Sequence, residues 1–382
     1  MCPQLLRPQL LCSCLLCPTV AVLAALHVLS ASAEADDPQP DLVATTLAEV
    51  DEDFAFQGEY FGDVRAVDGR RVSFGLQIVA LGQGQFSALG LPGGLPGNGW
   101  DQENFISWNG VRHGEQLTLT GERGTVIMQN GRGRVIDARG REVGQVQQVR
   151  RTSITLGAAP PPGAIVLFDG SSVTRFESGR LTPAGWLAPG AVTRMPVRDF
   201  HMHLEFQTPY MPHAREQGRG NSGVYIQRRY EVQILDSFGL LPQFNDCGAL
   251  YRQQGPDLNM SFPPLAWQTY DIDFTAARWD PEGNKTTDAS ITVLHNGVPI
   301  HSQRTIFSKT GAGQPETAYD GPILLQDHGN PVQFRNVWLV VHDRPATAPD
   351  TIPQPAAAIP AAIPIPCATL CGGEDWWLWR GF

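Results

Sequence analysis

Phe200-His201-Met202-His203-Leu204-Glu205-Phe206-Gln207 alternates apolar and polar residues without a break. Side chains on an extended chain point to opposite faces in turn, so this pattern predicts a β-strand. Phe200, Met202, Leu204 and Phe206 should enter a core, leaving His201, His203, Glu205 and Gln207 outward and solvated. Tyr270–Phe274 alternates in the same way. The run from Gly220 to Ser237 predicts two short strands joined at Arg228-Arg229, with Val224, Ile226, Val232 and Ile234 inward. Gly223, Tyr225, Gln227, Glu231 and Gln233 then share an open face. Ala289–Leu294 and Val298–Gln303 flank Asn296-Gly297, a hairpin signal, and Ile323–His328 and Phe334–Val341 close the series.

The first half follows a similar pattern. Arg71–Ile78 and Gln116–Thr120 alternate, and Asp68-Gly69, Asn109-Gly110 and Asn130-Gly131 suggest tight turns. A small antiparallel β domain over residues 46–157 is the expectation. Gly90–Gly97 is expected to be a surface loop; no Lys-Ser/Thr pair or helix follows, as a phosphate cradle would require. The stiff Pro160-Pro161-Pro162-Gly163 marks a boundary. Beyond it, residues 163–343 should fold by themselves as a two-sheet antiparallel sandwich. The fold class is all-β throughout, consistent with 40 Gly and 31 Pro in 382 residues.

The termini and charge limit the setting. Residues 1–33 carry one charge, Arg7, then an apolar run ending in Ala31-Ser32-Ala33, the pattern of a cleaved secretory leader. The expectation is therefore a secreted or periplasmic protein, with a membrane-anchored one as the alternative. Residues 34–45 read as a linker, and 344–382 as a Pro/Ala-rich disordered tail ending in a cluster of Trp376, Trp377 and Trp379. Membrane contact is expected only through an uncleaved leader or that tail. Four of seven cysteines lie in the leader, leaving Cys247, Cys367 and Cys371, too few for a disulfide scaffold. Net charge −10 argues against non-specific nucleic-acid binding. Asn259-Met260-Ser261 and Asn284-Lys285-Thr286 are glycosylation sequons. His201 and His203 could ligate a metal from one strand face, but a solvated pair is the simpler reading, and no metal or cofactor is expected.

Glu231, Gln233 and Tyr225 on one face supply the carboxylate, amide and aromatic that a carbohydrate site needs. Strict alternation sends Asp236 inward, whereas one bulged residue near Leu235 would bring it round to Glu231. This run, with Ile165–Gly170 upstream and Pro322–Gly329 and Phe334–Trp338 downstream, resembles the 3-keto-disaccharide hydrolase domain family. The resemblance spans residues 163–343. It implies a concanavalin-like jelly-roll sandwich that cleaves 3-keto-glycosides. A ketone at C3 acidifies the C2 proton, so one base can start an elimination that expels the C1 substituent, and water then adds back. Glu231 is the candidate acid/base, with Asp236 and His328 as candidates for the second proton carrier. Asn221, Arg228, Gln233, Arg252 and Gln326 are candidate hydrogen-bond donors to substrate, and Tyr225 and Trp338 candidate stacking platforms. Two alternatives stand beside the enzyme: a non-catalytic sugar-binding module, and an envelope interaction protein working through the tail.

Overall fold

The computed structural model describes residues 41–66 and 68–342, and the backbone of Ile363–Pro364. The leader, Cys367, Cys371 and the Trp-rich end lie outside them. The described residues are all-β, the helical exceptions being two 3₁₀ turns at Glu52–Ala55 and Glu216–Gly218.

Eight antiparallel strands form the first half: β1 (Gly58–Arg65), β2 (Arg71–Gly82), β3 (Gln85–Pro92), β4 (Ile106–His113), β5 (Gln116–Gly121), β6 (Gly124–Gln129), β7 (Arg132–Asp137) and β8 (Glu142–Arg150). Each pairs with the next, and β1 pairs with β8, so the sheet closes into a barrel with no free edge. Tyr60, Leu76, Phe86, Trp108, Leu119, Val126 and Met128 fill it. Asn130-Gly131 turns the chain with φ of 50° and 70°, as expected. Asn109-Gly110 does not turn. It sits within β4, paired on both sides, because a side chain on Gly110 would strike Leu119, Leu117 and Phe86. The glycine admits those side chains to the barrel interior; the turn falls four residues later, at Gly114.

The second half holds two antiparallel sheets. One runs β10 (Phe176–Glu177), β11 (Val192–Thr193), β20 (Leu324–Leu325), β13 (Ser222–Ile226), β14 (Tyr230–Ile234). The other runs β19 (Val298–Ile306), β18 (Ala289–His295), β15 (Gln268–Thr275), β12 (Phe200–Gln207), β21 (Gln333–Val341), β9 (Ile165–Phe168). β16 (Arg278–Trp279) and β17 (Lys285–Thr287) make a separate ribbon. Val224, Ile226, Val232 and Ile234 of the first sheet share one core with Phe200, Met202, Leu204, Phe206, Ile272 and Phe274 of the second. The alternation assigned each of these inward residues.

The halves touch extensively. Leu91 and Trp100 of the barrel lie in the core of the two-sheet unit, so Gly90–Gly97 is an interface segment rather than a free surface loop. Arg151, just past β8, donates from Nε to Glu59 Oε2 at 2.7 Å and from Nη1 to Pro96 O at 2.6 Å, and its guanidinium lies 5.2 Å from the Phe262 ring centroid. One sequon is also corrected. Asn259 is buried, and its Nδ2 donates to Ser237 O and Leu240 O, leaving no amide for a glycan.

Candidate functional site

The site is built on the hairpin of β13 and β14. Tyr225 stands directly opposite Glu231, and Gly223 opposite Gln233. The Glu231 side chain occupies the space that a side chain at Gly223 would take. A Cβ added at Gly223 would lie 2.5 Å from Glu231 Oε1. Gly223→Ala should therefore displace the carboxylate while sparing the fold. If Glu231 acts on a bound substrate, kinetics of that variant should show turnover reduced by about ten- to a hundredfold, the scale for a displaced reacting group.

This face is not open, as the alternation alone would have it. Glu231 is 2% exposed, Tyr225 4% and Gln233 1%. The segment after β19 folds over it. Thr310 Oγ1 accepts from Glu231 N–H at 2.7 Å, and a Cβ on Gly311 would lie 2.7 Å from Tyr251 Cδ1 and 3.4 Å from Glu231 Oε2. On the other edge, Tyr251 N–H donates to Glu231 O. Desolvation under this cover raises the Glu231 pKa to about 7, against a weaker opposing hydrogen bond from Tyr225. Oε2 has no hydrogen-bond partner among the described residues. Burial, with the neighbouring Glu231, also pushes the Tyr225 phenol well above its ordinary value, so it stays protonated.

The hairpin tip holds the cover in place. Gln227 and Arg228 both adopt positive φ, 52° and 55°, which a primed turn requires and which costs a non-glycine residue roughly 1–2 kcal/mol. Hydrogen bonds from the tip offset that strain. Arg229 donates to Gln227 Oε1, Thr317 Oγ1 and Tyr319 O, while Thr310 N–H and Gln314 N–H donate to Arg229 O and Arg228 O. Arg228 thus sits at the tip, off the face that carries Glu231.

The other expected residues separate into groups. Gln233 and Asn221 are linked to each other through Gln217: Gln233 Nε2 donates to Gln217 Oε1 at 2.9 Å and Asn221 Nδ2 to Gln217 O at 2.7 Å. Gln326 lies beside Gly223, its N–H donating to Gly223 O. Arg252, at φ 61°, is exposed in the turn next to Tyr251, and His328 is an exposed loop residue.

Asp236 is not brought round. β14 ends at Ile234, Leu235 enters the core instead of bulging, and the Asp236 carboxylate accepts from Arg219 Nε at 2.7 Å in a buried ion pair. Trp338 lies on the opposite sheet. Its ring stacks on His203 at 5.2 Å, and its Nε1 donates to Ala158 O, so it offers Glu231 no stacking platform. Sequence reasoning missed Tyr251, Thr310 and Gln217; all three come from irregular segments where periodicity carries no signal.

His203 and Glu205 face out of the core as expected, yet both are buried, because residues 153–158 lie across them. His203 Nδ1 meets Asp271 Oδ1 at 2.6 Å. Glu205 accepts from Gly157 N–H, Asn336 Nδ2 and Arg335 Nε, and despite its burial is held at about 2 by these partners and His203. Thr155 Oγ1 donates to Asp271 Oδ2. The polar residues of β12 thus anchor the connecting segment. No group of three or more His, Cys, Asp or Glu among the described residues is arranged to hold a metal ion.

Comparison with known proteins places this geometry in context. Residues 163–340 match the family model of the 3-keto-alpha-glucoside-1,2-lyase-like domain. A candidate glycosyl hydrolase from Parabacteroides distasonis is 33% identical, over 48% of this chain and 85% of that one, with a TM-score of 0.43. A second candidate glycosyl hydrolase from that organism is 18% identical, over 47% and 94% of the two chains, with a TM-score of 0.35. Trypanosoma rangeli sialidase, solved with 2,3-difluorosialic acid as a covalent intermediate, is 11% identical over 73% and 50%, with a TM-score of 0.27. No curated protein matches the chain.

Proposed function

We propose that this chain, whose residues 163–340 match the family model of the 3-keto-alpha-glucoside-1,2-lyase-like domain, cleaves 3-keto-glycosides by elimination across C1 and C2. The supporting observation is Glu231: a desolvated carboxyl with a pKa of about 7, packed against Gly223, with one oxygen that has no partner among the described residues. A base matched to neutral pH is what removal of a proton α to a ketone requires. Glu231 takes the C2 proton, the C2–H electrons form the C1=C2 bond, and the C1–O bond breaks. The Tyr225 hydroxyl, kept protonated and opposite Glu231, is positioned on this reading to protonate the departing oxygen. Water then adds oxygen at C1 and hydrogen at C2, giving net hydrolysis. The same reading takes the two sheets as a concanavalin-like sandwich, and the leader pattern as placing the work outside the cytoplasm.

The ketone gives the test. The protein should cleave 3-keto-glycosides and leave the parent glycosides intact, because only the ketone acidifies that proton. In deuterated water the product should carry deuterium at C2 beyond what enzyme-free incubation of the product introduces. Direct displacement at C1 leaves no such label. Equal turnover of unoxidised glycosides, or an unlabelled product, would refute elimination. Sugar binding without any turnover would instead favour the non-catalytic module.

A further inference from the structure

Beside Glu231, one more buried polar atom lacks a partner on this hairpin. Asn221 is 2% exposed, and its Oδ1 meets no donor among the described residues. The orientation of its amide is fixed, since Nδ2 donates to Gln217 O at 2.7 Å and its own N–H donates to Asn330 Oδ1 at 2.7 Å. Alternation puts Asn221 on the face of Gly223 and Tyr225. The shared partner agrees: Gln233, on the face of Glu231, also reaches Gln217. An unmatched buried acceptor is costly, so a ligand that donates a hydrogen bond there is favoured over one that does not.

Gln217 itself is pinned from two sides. Its Oε1 accepts from Gln233, and its Nε2 donates to Asn245 O at 2.8 Å. The loop that carries it is bound to the barrel. Arg215 Nη2 donates to Leu81 O at 2.8 Å, Arg219 Nη1 to Ala80 O at 3.3 Å, and the Arg219–Asp236 pair closes the loop onto the end of β14. The buried pair is thus part of the support for this loop, and the barrel holds the loop that fixes Asn221.

We propose that Asn221 Oδ1 reads a ring hydroxyl of the sugar, and that Gln217 is the positioning residue that holds it there, backed by the barrel. This rests on the carbohydrate reading of the site but not on the elimination step. Binding can therefore be measured apart from turnover.

The full-length Glu231→Gln protein should be titrated calorimetrically with methyl 3-keto-glucoside and its 4-deoxy and 6-deoxy analogues. One deoxy analogue should bind about ten- to a hundredfold more weakly than the parent, the range for stranding a buried acceptor. Adding Asn221→Ala should weaken the parent to the level of that analogue and leave the analogue unchanged. Gln217→Ala keeps Asn221 and the backbone carbonyl that its Nδ2 meets, but removes the side-chain bonds to Gln233 and Asn245 that pin that carbonyl, so it should erode the same discrimination and spare affinity for the analogue. If either variant weakens parent and analogue equally, the residue is only structural and its assignment falls. Failure of every deoxy analogue to be discriminated, or of any ring to bind, would overturn the proposal outright. Discrimination intact in binding, with no turnover by the wild type, would leave it standing and remove the reaction scheme instead.

Discussion

Glu231→Gln should abolish most turnover of 3-keto-glycosides and stabilise the protein in the same stroke. The amide keeps the shape above Gly223 but cannot take a proton, so the rate should fall by about a hundred- to ten-thousandfold. In the wild type, kcat/KM should rise with pH through about 7, as the carboxyl ionises into the active base. The stability effect has the opposite sign. A carboxyl with a pKa near 7 when folded and near 4.5 when unfolded costs stability only where the unfolded chain would be ionised. The cost is absent at low pH, grows as pH climbs from 4.5 to 7, and is constant above. At its plateau the pKa difference corresponds to roughly 3 kcal/mol, an upper figure for a group that keeps some solvent contact. Denaturant unfolding at pH 8 should therefore show the variant more stable than wild type, and at pH 4 the two equal. A variant that loses activity without this pH-dependent gain would mean that Glu231 is not held desolvated, and the assignment of the base would fail with it.

The core was the readable part of the fold. Phe200–Gln207, Val224, Ile226, Val232 and Ile234 point where period-two alternation sends them, because strand geometry fixes that period locally. The same rule puts Glu231 and Gln233 on one face and Tyr225 across from Glu231. It could not show what covers that face. Thr310 lies 79 residues from Glu231 in sequence, and Gln217, an essential link to Gln233, sits in a 3₁₀ turn with no periodicity. Without that cover Glu231 reads as a solvated strand residue with an ordinary pKa. His203 and Glu205 fail in the same manner: alternation correctly turns them out of the core, but residues 153–158 then bury them. Asp236 and Trp338 depended on where a strand ends and which sheet it joins. Those are outcomes of long-range packing, as is the closure of the barrel through β1 and β8.

The largest stability loss is expected at Arg151, where the barrel meets the two-sheet unit. Its side chain is 1% exposed and that of Glu59 2%, and the pair is completed by Pro96 O, Gln77 and the Phe262 ring. Arg151→Ala leaves a buried carboxylate without its counter-charge, which costs about 3–5 kcal/mol. Replacing both partners, as in Glu59→Met with Arg151→Met, removes the stranded charge and should recover most of that loss, since apolar side chains of similar volume often serve as well. Equilibrium denaturation of the single and double variants checks the sign of this recovery. The shape of the curves tests the domain boundary as well. If Arg151→Ala lowers one common transition, the halves unfold together, as Leu91 and Trp100 within the second core would require. If a second transition stays where it was, residues 163–343 hold their fold without the barrel, as the Pro160–Gly163 hinge suggests. In that case the barrel's contribution to the site is confined to the loop that carries Gln217 and Arg219.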